Sequence, residues 1–300
     1  PIDNGIAFGR AGARFGPRAI RESSLSAPVL YEASPERTLF DVATGVGLRL
    51  KEKHDVVDLG DFNIFPTDLM KTTDSVIEGM TEVVKRGALP IVLGGDHYVT
   101  YPSFTGFAKG LAERKPDARV GYIHIDSHAD FWDNWGELGG RYNHATMVRR
   151  ITENPMIDFK NLAWVGLNSG LDMDQVRLRR QHKLKMMTYL DNLDRGIEQV
   201  MREAMEVASD GTDVVYVSVD IDVVDASESS GTGAPEFRGI LASEFMQIMD
   251  MLSKYKDLGA LDLCEVAPEW DHSGRTVMLA SSGLVNLLTP RLFDRVELPE

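Results

Sequence analysis

Three short segments of this 300-residue chain gather carboxylates and imidazoles at spacings suited to holding metal ions. The first is Gly94-Gly95-Asp96-His97, which follows the apolar run Leu89–Leu93. Glycines permit a tight turn with unusual backbone angles, and such a turn aims His97 at a strand end. Alone, the segment reads equally well as a turn capped by Asp96 with His97 incidental. The second is Asp126-Ser127-His128-Ala129-Asp130, after Val120–Ile125. Its carboxylate, imidazole and carboxylate stand at i, i+2 and i+4, so an extended backbone puts all three on one face. Such groups at a buried strand end are costly unless a cation neutralises them; the alternative is a polar turn with ordinary hydrogen bonds. The third is Asp220-Ile221-Asp222-Val223-Val224-Asp225, closing the run Val214–Val219. Asp220 and Asp222 share a face by the same period and would repel each other without a metal. Asp225 is out of phase and reads as a structural residue.

Together the segments supply two imidazoles and four or five carboxylates, more negative charge than one divalent ion needs. Nitrogen and oxygen ligands without thiolate suit Mn, Fe, Co, Ni or Zn. Two ions roughly 3.5–4 Å apart, sharing bridging carboxylates, would use the whole set and activate one water between them.

These residues need a scaffold that brings separate strand ends together. Nearly continuous apolar runs predict strands at Val56–Leu59, Leu89–Leu93, Val120–Ile125, Leu162–Leu167, Leu184–Tyr189, Val214–Ile221 and Ala260–Val266. Helix-period stretches lie between them, at Thr67–Arg86, Tyr101–Glu113, Met173–His182, Asn192–Ala208, Ala242–Lys256 and Ser273–Leu288. This alternation predicts an α/β fold with a mainly parallel sheet covered by helices. Ligands of such sheets sit beyond the carboxyl ends of the strands, where all three segments fall. No linker divides the sequence, so residues 1–300 read as a single domain.

A formal net charge of -14 repels nucleic acid and anionic membrane and favours a small cationic ligand, while also serving solubility. No stretch approaches the roughly 20 apolar residues of a membrane span, and no signal peptide is visible. Cys264 is the single cysteine, which suits a reducing, cytoplasmic compartment.

The three segments, in this order and at this spacing, resemble the ureohydrolase family of arginases, agmatinases and related guanidino hydrolases. Supporting similarity lies in Ala13-Arg14-Phe15-Gly16-Pro17-Arg18-Ala19-Ile20-Arg21, in Asp58-Leu59-Gly60-Asp61 and in Gly231-Thr232-Gly233-Ala234-Pro235-Glu236. The resemblance covers almost the whole chain. It implies a three-layer α/β/α architecture with a mainly parallel eight-stranded sheet. Pro1-Ile2-Asp3-Asn4-Gly5 resembles the end of the family's first strand, which is therefore expected to be incomplete. It also implies two divalent ions per chain, with Mn the family's usual metal and Ni compatible with the same ligands. By the family pattern His97, Asp126, Asp130 and Asp220 hold one ion. Asp126, His128, Asp220 and Asp222 hold the other, so Asp126 and Asp220 bridge. His144 matches a proton-shuttling histidine, although Ala145 stands where the family often has glycine. Glu265 matches the carboxylate that grips the guanidinium; an internal arginine is the alternative partner. The implied reaction is attack of a metal-bridging hydroxide on the guanidino carbon, releasing urea or a substituted urea and an amine, with Asp130 passing a proton to the leaving amine. Homo-oligomers, trimers or hexamers, are the family's habit, with hetero-oligomers as the alternative.

The substrate is less legible. Arginases usually place an asparagine two residues beyond the second segment, to hold the amino-acid carboxylate; here that position is Trp132. A substrate without that carboxylate fits better: agmatine, guanidinobutyrate, guanidine, or a substituted guanidine or biguanide. Trp132 and Trp135 put two indoles near the expected mouth, where their faces attract cations or pack against a neighbouring subunit. The 226–239 loop also departs from agmatinases, in Asp225-Ala226-Ser227, Ser229-Ser230-Gly231 and Phe237-Arg238-Gly239. Two rivals remain: a non-catalytic or partner-dependent subunit, which the intact ligand set disfavours, and a one-metal zinc amidase of related fold, which the doubled carboxylates disfavour.

Overall fold

The computed structural model describes residues 2–3, 10–42, 45–53 and 55–297. In chain order its elements are α1 (Gly16–Ser24), α2 (Ser26–Ala33), β1 (Thr38–Phe40), β2 (Gly47–Leu50), α3 (Leu69–Lys85), β3 (Ile91–Leu93), α4 (Thr100–Arg114), β4 (Val120–Ile125), α5 (Met147–Ile151), β5 (Ile157–Leu167), α6 (Met173–His182), β6 (Lys185–Thr188), α7 (Tyr189–Arg195), α8 (Ile197–Ser209), β7 (Val214–Asp220), α9 (Ala242–Ser253), β8 (Leu258–Cys264), α10 (Arg275–Leu292) and β9 (Phe293–Val296).

The most apolar runs of the sequence, β4 and β7, pair at the centre of a six-stranded sheet ordered β3-β8-β7-β4-β5-β6. Every pair in it is parallel. Parallel strands need long crossovers, and the intervening helices cover both faces of the sheet. On one face Ile123, Ile125, Val217 and Val219 pack with Val200 and Ala204 of α8, Phe245 and Ile248 of α9, and Leu287 of α10. On the other, Tyr122, Tyr216 and Trp164 pack with Met80 of α3 and Phe104 and Phe107 of α4. Each such fully buried aliphatic or aromatic side chain contributes on the order of 1.5–3 kcal/mol. Gly121 brings the two central layers close: a Cβ there would stand 1.9 Å from the Ala208 carbonyl oxygen of α8.

The alternation of strands and helices is as the sequence predicts, with differences of detail. The main sheet has six strands among the described residues, where the resemblance led to an expectation of eight. Val56–Leu59 is unpaired, with Val57 and Leu59 74% and 73% exposed. Pro1, Asn4 and Gly5 of the expected first strand lie outside the described residues. Asn192–Ala208 is two helices, because Gly196 takes φ 78° and ψ 152° between them. A small antiparallel sheet, β1-β2-β9, joins Gly47–Leu50 to Phe293–Val296, a pairing too distant in sequence for local pattern to show. Among the described residues no helix is long and apolar enough to cross a membrane.

Candidate metal centre

The register of the central strands builds the site. Tyr122 pairs with Tyr216 and His124 with Ser218 across β4 and β7, and Ser218 pairs with Asp262 across β7 and β8. Side chains two apart share a face. Tyr122 and His124 therefore lead up to Asp126, and Tyr216 and Ser218 lead up to Asp220. Beyond the strand ends the backbone bends instead of staying extended. The Asp126 amide still donates to Val165 O at 3.0 Å, but the residues from Asp126 to His128 form a bend, and Asp130 takes φ 44°. Asp222 lies in a 3-10 turn and its amide donates to Asp220 Oδ1 at 2.8 Å. The Ser127 hydroxyl donates to the Asp222 carbonyl at 2.7 Å, tying the second segment to the third. Thus the carboxylates converge as the period-2 argument expects, but by turns and not by strand geometry.

The first segment also differs from expectation. Gly94 and Gly95 are absent from the left-handed region; what they supply is space. A Cβ on Gly95 would lie 1.6 Å from the Ile2 carbonyl oxygen, and one on Gly94 2.6 Å from Cys264 Sγ. Both readings of Asp96-His97 hold at once. Asp96 caps the following turn by accepting from the Tyr98 amide at 3.2 Å, and His97 enters the cluster.

His97 Nδ1 lies 3.0 Å from Asp126 Oδ2, 3.3 Å from Asp130 Oδ2 and 3.0 Å from Asp220 Oδ2. His128 Nδ1 lies 3.0 Å from Asp222 Oδ2 and 3.4 Å from Asp126 Oδ1. All six predicted ligands are brought together, and apart from the half-buried His128 all are buried. His97 Nδ1 and Asp126 Oδ2 are fully buried yet make no hydrogen bond. Buried polar atoms without partners are rare and costly, so this arrangement fits a cation between them.

The outer nitrogen of His97 explains its orientation. His97 Nε2 is 2.8 Å from Ser218 Oγ, and that hydroxyl donates its own proton to Asp262 Oδ1 at 2.7 Å. Ser218 therefore accepts from His97, Nε2 carries the proton, and the Nδ1 lone pair faces the cluster. Such outer partners fix tautomer and ring orientation in metal sites. Asp262 is held in turn by the Tyr216 hydroxyl at 2.7 Å.

The electrostatics point the same way. Burial alone would lower the pKa of His97, but the carboxylates of Asp126, Asp130 and Asp220 hold it well above the ordinary histidine value. His128 is likewise raised, against its burial, by Asp222 and Asp126. Burial and then the neighbouring Asp220 push Asp222 well up; burial and then Asp126 raise Asp220. Asp126 is held well below the carboxylate range despite burial, chiefly by His124, then His128 and His97. The cluster thus recruits positive charge, which protons supply where no metal does.

Residues 1–289 match the sequence profile described as the arginase family. The chain belongs to the arginase family. A human guanidino acid hydrolase, mitochondrial, is 31% identical over 96% of this chain and 75% of its own length. A guanidinobutyrase of Pseudomonas aeruginosa is 30% identical over 96% of this chain and 83% of its own. Among solved structures, proclavaminate amidino hydrolase from Streptomyces clavuligerus superposes with a TM-score of 0.74 at 29% identity, covering 93% of this chain and 86% of that one. An arginase from Bacillus subtilis superposes at 0.73 and 23% identity, covering 92% of each chain, which supports the fold. The relatives are named hydrolases, as the sequence reading expects. Arginase-family enzymes depend on a binuclear metal centre, and this member carries a buried His/Asp cluster compatible with one.

The remaining predicted site residues of this arginase-family chain border the segments that build the cluster. Glu265 directly follows β8 at φ 64°, buried, with Oε1 accepting from the His97 amide at 2.8 Å. Burial, then Asp220 and Asp96, raise its pKa well above the glutamate value against the opposing pull of His97, and among the described residues it has no ion pair with an internal arginine, the partner considered as an alternative. Asp130 and Glu265 are two of the six described non-glycine residues at positive φ, a conformation that costs such residues strain. His144 begins a 3-10 turn beside the second segment: the Trp132 amide donates to Ala145 O at 3.1 Å and the Val148 amide to Asp130 O at 3.0 Å. Its ring stands edge-on to Trp135, with centroids 5.3 Å apart. The buried Arg150 holds Asp133 at 2.7 Å and so pins the loop carrying both indoles. Asp225 is structural, as expected: Oδ1 accepts from Ser227 and Oδ2 from the Arg238 amide, joining the ends of the 226–239 loop. Sequence reading passed over His124, Ser218, Asp262 and Glu236. His124 and Ser218 each lie two residues before a predicted ligand, on the same strand face, whereas Asp262 is joined to the site only through its register pairing with Ser218. Glu236 Oε1 lies 3.8 Å from His128 Nε2, on the outer side of that ring.

Proposed function

We propose that this chain hydrolyses a guanidino-type carbon–nitrogen bond, releasing urea or a substituted urea and an amine. The observation that carries the proposal is the convergence of two histidine Nδ1 atoms with four aspartates inside 3.4 Å, with the His97 lone pair turned inward by Ser218. His97, Asp126, Asp130 and Asp220 would hold one divalent ion, and Asp126, His128, Asp220 and Asp222 the other. Mn and Ni both suit this donor set. When bound, the two ions lower the pKa of a shared water enough to supply hydroxide near neutral pH.

The chain's own residues then divide the work. Glu265 orients the guanidinium, a planar cation that a carboxylate grips with two parallel hydrogen bonds. A carbon–oxygen bond forms at the guanidino carbon. Asp130 accepts the proton released from the water and delivers it to the leaving nitrogen as the carbon–nitrogen bond breaks. His144 exchanges protons with solvent, work for which histidine is suited. Trp132 in place of an amide side chain leaves an amino-acid carboxylate without its partner, so arginine is disfavoured. Agmatine, guanidinobutyrate, guanidine and substituted guanidines or biguanides are the substrate class. The relatives named guanidino acid hydrolase and guanidinobutyrase support ω-guanidino acids within it. Residues 1–300 form a single catalytic domain in this reading, assembled as a homo-oligomeric trimer or hexamer in the cytoplasm.

Urea release from a panel of these compounds, with Mn and Ni supplied separately to the isolated chain, tests the proposal. Turnover of at least one compound is expected, with arginine poor. Activity appearing only after addition of a second, related chain would favour a partner-dependent subunit instead.

A further inference from the structure

His124 is not among the six ligands, yet it lies wholly buried inside the cluster. Its ring stacks on His97 with centroids 4.9 Å apart and 17° between planes. Nε2 stands 2.9 Å from Asp126 Oδ2. The approach is off the line of an N–H bond, and both atoms lack any other hydrogen-bonding partner. A buried imidazole nitrogen beside a buried carboxylate oxygen, neither otherwise satisfied, is a pair awaiting a small rotation.

The far side of the ring decides what Nε2 can do. Nδ1 lies 3.2 Å from the Tyr122 hydroxyl. That hydroxyl's other neighbours are Met147 Sδ at 4.0 Å, a far weaker acceptor than imidazole, and Ser218, whose proton goes to Asp262 and whose oxygen already accepts from His97. Its proton therefore goes to His124 Nδ1, and the neutral ring carries its hydrogen on Nε2. A protonated nitrogen cannot ligate a metal; it can donate to a carboxylate. His124 and His97 thus share the Nε2–H tautomer, set by Tyr122 in one and by Ser218 in the other, but turn opposite nitrogens to the cluster: His97 its bare Nδ1, His124 its protonated Nε2.

Asp126 has a use for such a donor. Its Oδ1 accepts from the His128 amide at 2.6 Å and faces His128 Nδ1. Its Oδ2 faces His97 Nδ1. One oxygen is turned towards each histidine ligand, and only Oδ1 has a donor holding it. We infer that His124 is a positioning residue that donates Nε2–H to Asp126 Oδ2, fixing the torsion of the bridging carboxylate and with it the ion on the His97 side. This inference rests on the two-ion reading above.

The test is metal titration of the full chain with Mn(II), and with Co(II) for its visible absorption. Wild type is expected to bind two ions per chain; binding of none would overturn the two-ion reading, and this inference with it. His124→Phe should keep the ion on the His128 side and bind the other about 10–100-fold more weakly, the usual cost of losing an outer partner. His124→Gln, whose amide can still donate, should restore most of that affinity and leave the Co(II) spectrum unchanged. Tyr122→Phe, which removes only the hydroxyl that sets the tautomer, should weaken the same ion several-fold, and it guards against a folding defect in His124→Phe. Wild-type affinity for both ions in His124→Phe and in Tyr122→Phe would overturn the inference while leaving the two-ion reading intact. A changed Co(II) spectrum in His124→Gln would overturn it too, by making His124 a ligand.

Discussion

Ser218 accepts a hydrogen bond from His97 at 2.8 Å and so turns the other nitrogen of that imidazole towards three aspartates. The relationship depends on Asp262, which takes the Ser218 proton and leaves the hydroxyl oxygen free to accept. Ser218→Ala should therefore lower metal affinity about 10–100-fold with the fold retained. Competition titration against a chelating dye measures this; unchanged affinity would show that the tautomer of His97 needs no partner.

Asp130→Asn keeps an oxygen for a metal but cannot carry a proton. Metal content should fall only in part, while turnover drops by about 10²–10⁴-fold. Stopped-assay urea release beside elemental analysis separates the two effects. A fully active variant would remove Asp130 from the proton path.

Glu265→Gln leaves the cluster intact but exchanges a charged acceptor for a neutral one. A hydrogen bond to a charged group contributes about 1.5–3 kcal/mol, so kcat/KM for a guanidino substrate should fall on the order of 10–100-fold at unchanged metal content. Equal loss of bound metal would instead place Glu265 in support of the cluster.

The titrating groups give a pH dependence of definite sign. His97, His128, Asp220, Asp222 and Glu265 all have pKa values raised in the folded protein. A raised group stabilises the fold fully below its unfolded pKa and loses that contribution as pH climbs towards its folded value. Chelator-stripped protein should therefore melt at lower temperature as pH rises from about 5 to about 8. Asp126, the one depressed group of the cluster, acts only in acid below this window. Metal must displace the same protons, so the melting-temperature gain on adding Mn(II) should grow over that range. Thermal melts with and without metal check both signs, and a stripped protein that gains stability with pH would contradict them.

Trp135→Ala removes the ring against which His144 stands edge-on. Such an aromatic contact is worth about 0.5–1.5 kcal/mol, so kcat should fall about 3–10-fold, with Trp135→Phe recovering most of it. A pH–rate profile tells loss of His144 positioning from a general disturbance: only the former moves the limb assigned to the shuttle.

The six candidate ligands were legible as a group because carboxylate and imidazole stand at short, regular spacings just past strongly apolar runs. Spacing foresaw their meeting better than its means: bends and turns gather Asp126, Asp130 and Asp222, and Gly95 supplies clearance from Ile2 in place of an unusual dihedral. The central strands were legible because both faces of β4 and β7 are buried. The pairing of β2 with β9 was not, since contacts between residues about 47–50 and 293–296 leave no local period. Ser218 and Asp262 escaped notice because a serine or aspartate inside an apolar run has no meaning until the register joins β7 to β8. His124 stood in plain view two residues before Asp126, yet its role depends on Tyr122 behind it.

A two-ion centre that hydrolyses a guanidino compound is tested most directly by metal content taken on the same sample as activity. Purified chain, loaded with Mn or Ni, is assayed for urea release across the guanidino panel and then analysed for bound metal per chain. Activity should rise to its maximum as occupancy approaches two ions and vanish with the chelator. Full activity at one ion per chain, or urea release from fully stripped protein, would contradict this expectation.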